Sequence, residues 1–204
     1  DIMFNVCLCV RFQFDPKDFH LKVVKHIFGY HASFTNFSLF YKKNHDFMLA
    51  CFCDVDYAGD KIERKSTSGG CHFLGDYVIS WESKKQNSIV LSTTEVEYIS
   101  VIGYCSQLLW VKYKLEDYSS FESFIPIFYD NTNVINLSKN PIQHSKAKHI
   151  EIRYHFICDY VQKVVSDIRF IDIDHQWVDI FTKALAEENF VFIRDHLCLK
   201  QLLD

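Results

Sequence analysis

Four carboxylates stand out by position: Asp54, Glu97, Asp130 and Asp179. Asp54 closes a short apolar run at 47–54, and Asp130 follows a second such run at 125–129. Glu97 and Asp179 fall on the first turns of two helical patterns. Hard oxygen donors contributed by separate elements suit Mg²⁺. Carboxylates packed close together repel one another unless cations neutralise them. A metal pair about 3.5–4 Å apart can activate a water and stabilise the leaving oxygen of a phosphodiester. Position alone leaves a plainer reading open, because acidic residues at element ends are mostly caps and solvated turns. His175, just ahead of Asp179, could assist proton transfer, although a plain surface histidine is the commoner case.

The elements that must hold these side chains follow from periodicity. Residues 1–44 read as helical, with Asp15-Pro16 as a helix start, one apolar face through Leu21, Val24 and Phe28, and a break over 29–36. The period then shortens. A strand at 47–54, a strand at 71–74, the Gly-first turn Gly75-Asp76 and a strand at 77–81 suggest three antiparallel strands in succession. Ser92 supplies a helix cap, and Tyr98, Ile102, Cys105 and Leu109 line one face of the helix that follows. Beyond it come a strand at 125–129, helices over 131–138 and 149–165, a strand at 168–173, and helices over 177–185 and 190–199. Trp81 and Trp110 are assigned to the core. This order predicts an α/β fold with a mixed five-stranded sheet, three antiparallel strands then parallel strands, and helices packed on it.

Composition narrows the class. The chain has 204 residues, 49% hydrophobic and 24% charged, as globular proteins do. No apolar run reaches 18 residues, so no membrane partner is expected, and the compartment read from this is intracellular. The chain opens at Asp1 inside a helical pattern, which suggests a piece of a longer polypeptide. Of the 8 cysteines, Cys7/Cys9 and Cys51/Cys53 form C-x-C pairs; none has zinc-ribbon spacing, and they read as reduced core residues. The net charge of −4 settles nothing about nucleic acid, because phosphate contacts are local. Basic residues gather at Lys61, Arg64 and Lys65; at Lys84 and Lys85; and at Lys146, Lys148 and Arg153, with His144 and His149.

Longer motifs sharpen the reading. Asp54-Val55-Asp56-Tyr57-Ala58-Gly59-Asp60 resembles the D-A-D-W/Y-A-G-D segment of copia-type retrotransposons, and Arg64-Lys65-Ser66-Thr67-Ser68-Gly69 resembles their R-K/R-S-T-S-G segment. The resemblance continues through Ser83-Lys84-Lys85-Gln86, Ser92-Thr93-Thr94-Glu95-Val96-Glu97-Tyr98, Tyr129-Asp130-Asn131, His144-Ser145-Lys146-Ala147-Lys148-His149 and Asp179-Ile180-Phe181-Thr182-Lys183. All arrive in the family's order. The lead-in resembles the end of the reverse transcriptase that precedes this region.

The resemblance implies a ribonuclease H-like fold and hydrolysis of the RNA strand of RNA–DNA hybrids. It divides the chain into a reverse-transcriptase tail at 1–44, a ribonuclease H domain at 45–185 and a helical extension at 186–204. Asp54, Glu97, Asp130 and Asp179 match the family's catalytic, metal-holding carboxylates, with Glu95 the rival of Glu97 and Asp56 set back. Two Mg²⁺ ions are implied, Mn²⁺ substituting, with no small-molecule cofactor. The implied partners are the hybrid, touched by Arg64, Lys65, Lys84, Lys85, Lys146, Lys148 and Arg153, and the reverse transcriptase of the same polyprotein. The implied setting is a cytoplasmic retrotransposon particle, with the nucleus as a second compartment. The alternative is a catalytically silent remnant that binds hybrid or packs on a reverse transcriptase. Asp172 and Trp177 depart from the family's smaller or neutral residues, as drift in a decaying copy would produce.

Overall fold

The computed structural model describes residues 2–43, 48–60, 63–87, 92–118, 125–132, 135 and 167–201. The apolar run before Asp54 forms a strand, β2 (Leu49–Asp56), in which residues 49–54 are all buried. A continuous apolar run is what a strand covered on both faces requires. β3 (Thr67–Leu74) and β4 (Tyr77–Lys85) form the expected hairpin, and Gly75 takes the positive φ of 58° that its turn demands. With β5 (Pro126–Tyr129) and β6 (Asp167–Phe170) they build one sheet in the order β4-β3-β2-β5-β6. β2–β3 and β3–β4 are antiparallel; β2–β5 and β5–β6 are parallel. The predicted mixed five-stranded sheet is therefore the sheet observed.

Each face carries its own core. Leu49, Cys51 and Cys53 pack with Val101, Tyr104 and Leu108 of α3 (Thr93–Glu116). On the other face, Ala50, Phe52 and Phe73 meet Val178, ahead of α4 (Asp179–Thr182), and Ile193 of α5 (Glu187–His196). Two adjacent glycines let both layers approach. A Cβ on Gly69 would stand 2.5 Å from Thr182 Cγ2, and one on Gly70 would stand 2.3 Å from the Tyr104 ring. Cys51, Cys53, Cys71 and Cys105 are buried free thiols, as small apolar residues tend to be.

The lead-in holds α1 (Met3–Arg11), α2 (Asp18–Ser33) and a short strand, β1 (Phe37–Leu39). β1 pairs antiparallel with β7 (Leu199–Gln201). Neither strand was expected, because each is defined by a partner about 160 residues away. α2 begins later than Asp15-Pro16 suggested. Lys17 stays extended at its cap, and the Lys17 N–H donates to His20 Nδ1 at 3.0 Å. The helix also runs straight through Gly29, where a break was expected. The predicted helix over 177–185 shrinks to four residues, since Lys183 turns extended with ψ of 159°. α5 stops at His196, and Cys198, with φ of 59°, turns the chain into β7. Trp81 and Trp110 are 51% and 64% exposed rather than core. Trp81 lies on the edge strand, and Trp110 falls off the 101-104-108-111 face that α3 buries. The expected helix over 149–165 and most of that over 131–138 lie outside the described residues.

Candidate active site

The parallel pairing of β2 with β5 sets Cys51 beside Ile127 and Phe52 beside Phe128. Carried on by two residues, this register places Asp130, just past β5, beside Asp54. Asp54 lies within β2 rather than at its end, two residues short of Asp56. Its antiparallel partner is Gly69, and the missing side chain there admits α4. The Thr182 hydroxyl donates to Asp54 Oδ2, and Lys183 Nζ lies 3.8 Å from that oxygen and 2.8 Å from Asp179 Oδ1. From the opposite face, α3 brings in Glu97, whose Oε1 accepts from Asn131 Nδ2 at 2.5 Å. Four elements thus converge on Asp54.

The electrostatics show one shared field. Burial raises the Glu97 pKa to about 7, the Asn131 hydrogen bond opposes the rise, and Asp130 and Asp54 add to it. Burial likewise lifts Asp179 to about 6, with Lys183 opposing and Asp54 and Asp130 reinforcing. Asp130 is raised by burial and by Asp54, against Lys183. Asp56 follows the same pattern, but it folds back over Gly59, where a Cβ would stand 1.7 Å from its Oδ2. The Glu95 side chain lies outside what is described.

The donor chemistry suits a hard cation: all four are carboxylates, and Glu97 Oε2 is buried with no hydrogen-bond partner among the described residues. The spacing is not closed up. Among the described residues, no three His, Cys, Asp or Glu side chains form a ready-made metal cage. Lys183 instead supplies the positive charge between Asp54 and Asp179.

Several supporting residues were not singled out from the sequence: Asn131, Thr182 and Lys183 touch the carboxylates directly. Gln176, fully buried, donates to the Cys53 carbonyl at 2.9 Å and so pins the loop ahead of Asp179 beside β2. All but Gln176 sit inside the quoted motifs, which was the available signal. The two departures in the 171–178 loop have structural work. Asp172 accepts from the His175 N–H at 3.1 Å, and Trp177 stacks on His196 at 4.4 Å. His175 itself is exposed and paired with Asp172 at 2.5 Å.

The basic residues divide. Lys85 is drawn to Asp60 and Glu63, and Lys65 pairs with Glu63 at 2.9 Å. Arg64 and Lys84 are exposed. Lys61, His144, Lys146, Lys148, His149 and Arg153 lie outside the described residues.

No protein-family model matches the chain. It is 37% identical over 191 residues to the retrovirus-related Pol polyprotein from transposon RE1 of Arabidopsis thaliana, covering 93% of this chain and 13% of that protein. The chain is a homologue of a segment of copia-type Pol polyproteins. The corresponding protein of transposon TNT 1-94 from Nicotiana tabacum is 31% identical over 195 residues, covering 96% of this chain and 15% of that protein. The chain thus spans well under a fifth of these relatives' length. Among solved structures it is similar to LC11-RNase H1 in complex with an RNA/DNA hybrid, with a TM-score of 0.51, 11% identity, and coverage of 66% of this chain and 93% of that one. The fold of the chain is that of ribonuclease H.

Proposed function

We propose that this chain is a ribonuclease H that hydrolyses the RNA strand of RNA–DNA hybrids, with Asp54, Glu97, Asp130 and Asp179 as its metal-holding carboxylates. The observation that carries this reading is the convergence of Glu97, Asp130 and Asp179, from separate elements, on Asp54. Bound there, Mg²⁺ or Mn²⁺ would supply the positive charge that activates a water toward a phosphodiester. The chain's own residues fix the donors. Asn131 holds one oxygen of Glu97 and leaves Oε2 unpaired among the described residues. Thr182 orients Asp54, and Gln176 anchors the loop that carries Asp179. Lys183 lowers the repulsion between Asp54 and Asp179. The hybrid is the nucleic-acid partner, the reverse transcriptase of the same polyprotein the protein partner, and a cytoplasmic particle the setting. Among the described residues, no helix is long and apolar enough to cross a membrane.

The test is cleavage of an end-labelled hybrid by the wild type beside Asp130→Asn, which keeps the shape and removes one negative donor. RNA-strand cleavage in Mg²⁺ by the first and not the second is expected. A well-folded wild type that cuts nothing in Mg²⁺ or Mn²⁺ removes the reading.

One observation favours a catalytically silent relative: Lys183 sits where a cation's charge is needed, and among the described residues no three-donor cage stands ready. Calorimetric titration with Mg²⁺ separates the two. Saturable binding lost in Asp54→Asn supports the enzyme; its absence supports the silent form.

A further inference from the structure

Lys183 Nζ lies 2.8 Å from Asp179 Oδ1 and 3.8 Å from Asp54 Oδ2, so its ammonium bridges two of the four candidate ligands. The contact with Asp179 is electrostatic, because no aligned hydrogen bond reaches that buried oxygen among the described residues. A lysine ammonium is a compact point charge on a flexible stem, and here the backbone brings it back over the site. Lys183 follows directly on α4, and its N–H donates to the Asp179 carbonyl at 3.1 Å. Residues four apart on a helix share a face, which sets the two side chains together. Thr182, one residue earlier, donates its hydroxyl to the same Asp54 oxygen.

The donors therefore fall into two groups. On the α4 side, Asp179 Oδ1 and Asp54 Oδ2 already share a cation. On the α3 side, Asp54 keeps its second oxygen, and parallel register brings Asp130 beside it. Glu97 adds an Oε2 that is buried with no hydrogen-bond partner among the described residues. Among the described residues these groups are not closed into a cage; an ion entering on the α3 side gathers them with no ammonium in its way.

Charge sets the capacity of the cluster. Its carboxylates carry four negative charges; Lys183 cancels one, and a first divalent ion cancels two more. A second divalent ion would turn the cluster positive and press against the ammonium, and like charges about 4 Å apart repel strongly in a partly buried site. Paired metals stand about 3.5–4 Å apart, and the position beside Asp54 and Asp179 that a second ion needs is the one the ammonium fills. We propose that this chain takes a single divalent ion, on Asp54, Glu97 and Asp130, and that the Lys183 ammonium serves as the second cation, between Asp54 and Asp179. Lysine is among the groups that stabilise charge developing on a phosphoryl group, so the side chain takes over a task otherwise given to an ion. The count departs from the two ions that the resemblance implies and narrows the metal-holding set to three; it rests on the ribonuclease H reading.

Counting bound Mn²⁺ by electron paramagnetic resonance tests this on the full chain, free and in complex with a hybrid whose RNA strand is 2′-O-methylated. Gel electrophoresis afterwards confirms that the strand is intact, and circular dichroism in EDTA confirms that each variant is folded. The wild type is expected to bind about one ion in both states, and Lys183→Met, which keeps the stem and loses the charge, about two in the complex. Lys183→Arg restores a positive charge and should return the count to about one. Two ions on the wild type overturn the proposal, and so does a single ion on a folded Lys183→Met. If Lys183→Met does not fold, the wild-type count decides: one ion supports the proposal and two overturn it. No Mn²⁺ on any of the three proteins removes the metal-dependent nuclease reading and this inference together. Two ions on the wild type remove this inference alone, and cleavage of an unmodified hybrid in Mg²⁺ is scored separately.

Discussion

Replacing Gly69 by alanine adds a single methyl group where β3 meets the segment carrying Asp179 and Thr182. The new Cβ would lie 2.5 Å from Thr182 Cγ2, 2.8 Å from Val178 Cγ1 and 3.3 Å from Phe181 Cβ. Ordinary contact begins at 3.4 Å, so the deficit is about 0.9 Å at Thr182 and about 0.6 Å at Val178. β3 is held between β2 and β4, which leaves α4 as the part that yields. Overpacking of this kind costs about 1–3 kcal/mol, offset by about 0.5–1 kcal/mol from removing a glycine within a strand. The mid-range net loss is about 1 kcal/mol, so with a urea slope of about 2 kcal/mol/M the midpoint should fall by about 0.5 M. Circular dichroism across a urea series in EDTA reads this directly. Thr182→Ser deletes the methyl in collision but keeps the hydroxyl that holds Asp54, and Val178→Ala removes the second obstacle. Combined with Gly69→Ala, the pair should recover part of the loss, with a coupling of about 0.5–3 kcal/mol. An unchanged midpoint in Gly69→Ala, or strict additivity of the three substitutions, refutes the claim that this glycine sets the approach of α4.

Two further outcomes follow from the charged groups. Glu97, held at about 7 against a reference of 4.5, and Asp179, at about 6 against 3.8, both have pKa values raised in the folded chain. Their contribution to stability is complete below the unfolded values and is lost as pH rises through about 6 to 7. The urea midpoint in EDTA should decline over that interval and decline less in Glu97→Gln; identical slopes would sink the assignment. Asp60, 3% exposed, accepts from Arg11 at 3.1 Å and from Lys85. Asp60→Ala should cost about 1–3 kcal/mol, whereas Glu63→Gln, at the exposed rim of the same network, should cost less than that. Equal small losses in denaturation would show that the network binds α1 only loosely.

The central sheet was legible because each strand announces itself locally. The run ending in Asp54 has the length and burial of a central strand, and Gly75-Asp76 carries its own turn chemistry. Asp54 and Asp130 stood at strand ends in the sequence, and parallel register then brings them together. The supporting contacts were not legible, because they cross long separations. Thr182 reaches Asp54 over 128 positions, and Gln176 reaches Cys53 over 123. Helical periodicity also overstated burial: Leu21 and Phe28 are 54% and 70% exposed. An apolar stripe states that a face favours burial, not that this chain provides the cover. The extent of α4 was misjudged for another reason, since Lys183 leaves the helix and its ammonium turns back to Asp179 and Asp54.

The ladder between Phe37–Leu39 and Leu199–Gln201 bears on how this protein can be shortened. Starting the chain at residue 45 would strip β7 of its one strand neighbour among the described residues and leave bare backbone groups open to adhesion between molecules. Stopping at residue 185 would free β1 in the same way and lift Ile193 and Leu197 off the lower face of the sheet. Arg194, whose guanidinium sits 4.9 Å above the Phe37 ring, would be lost with them. The two ends act as opposite halves of one clasp, so trimming either end for expression should yield a protein that aggregates before its chemistry can be measured.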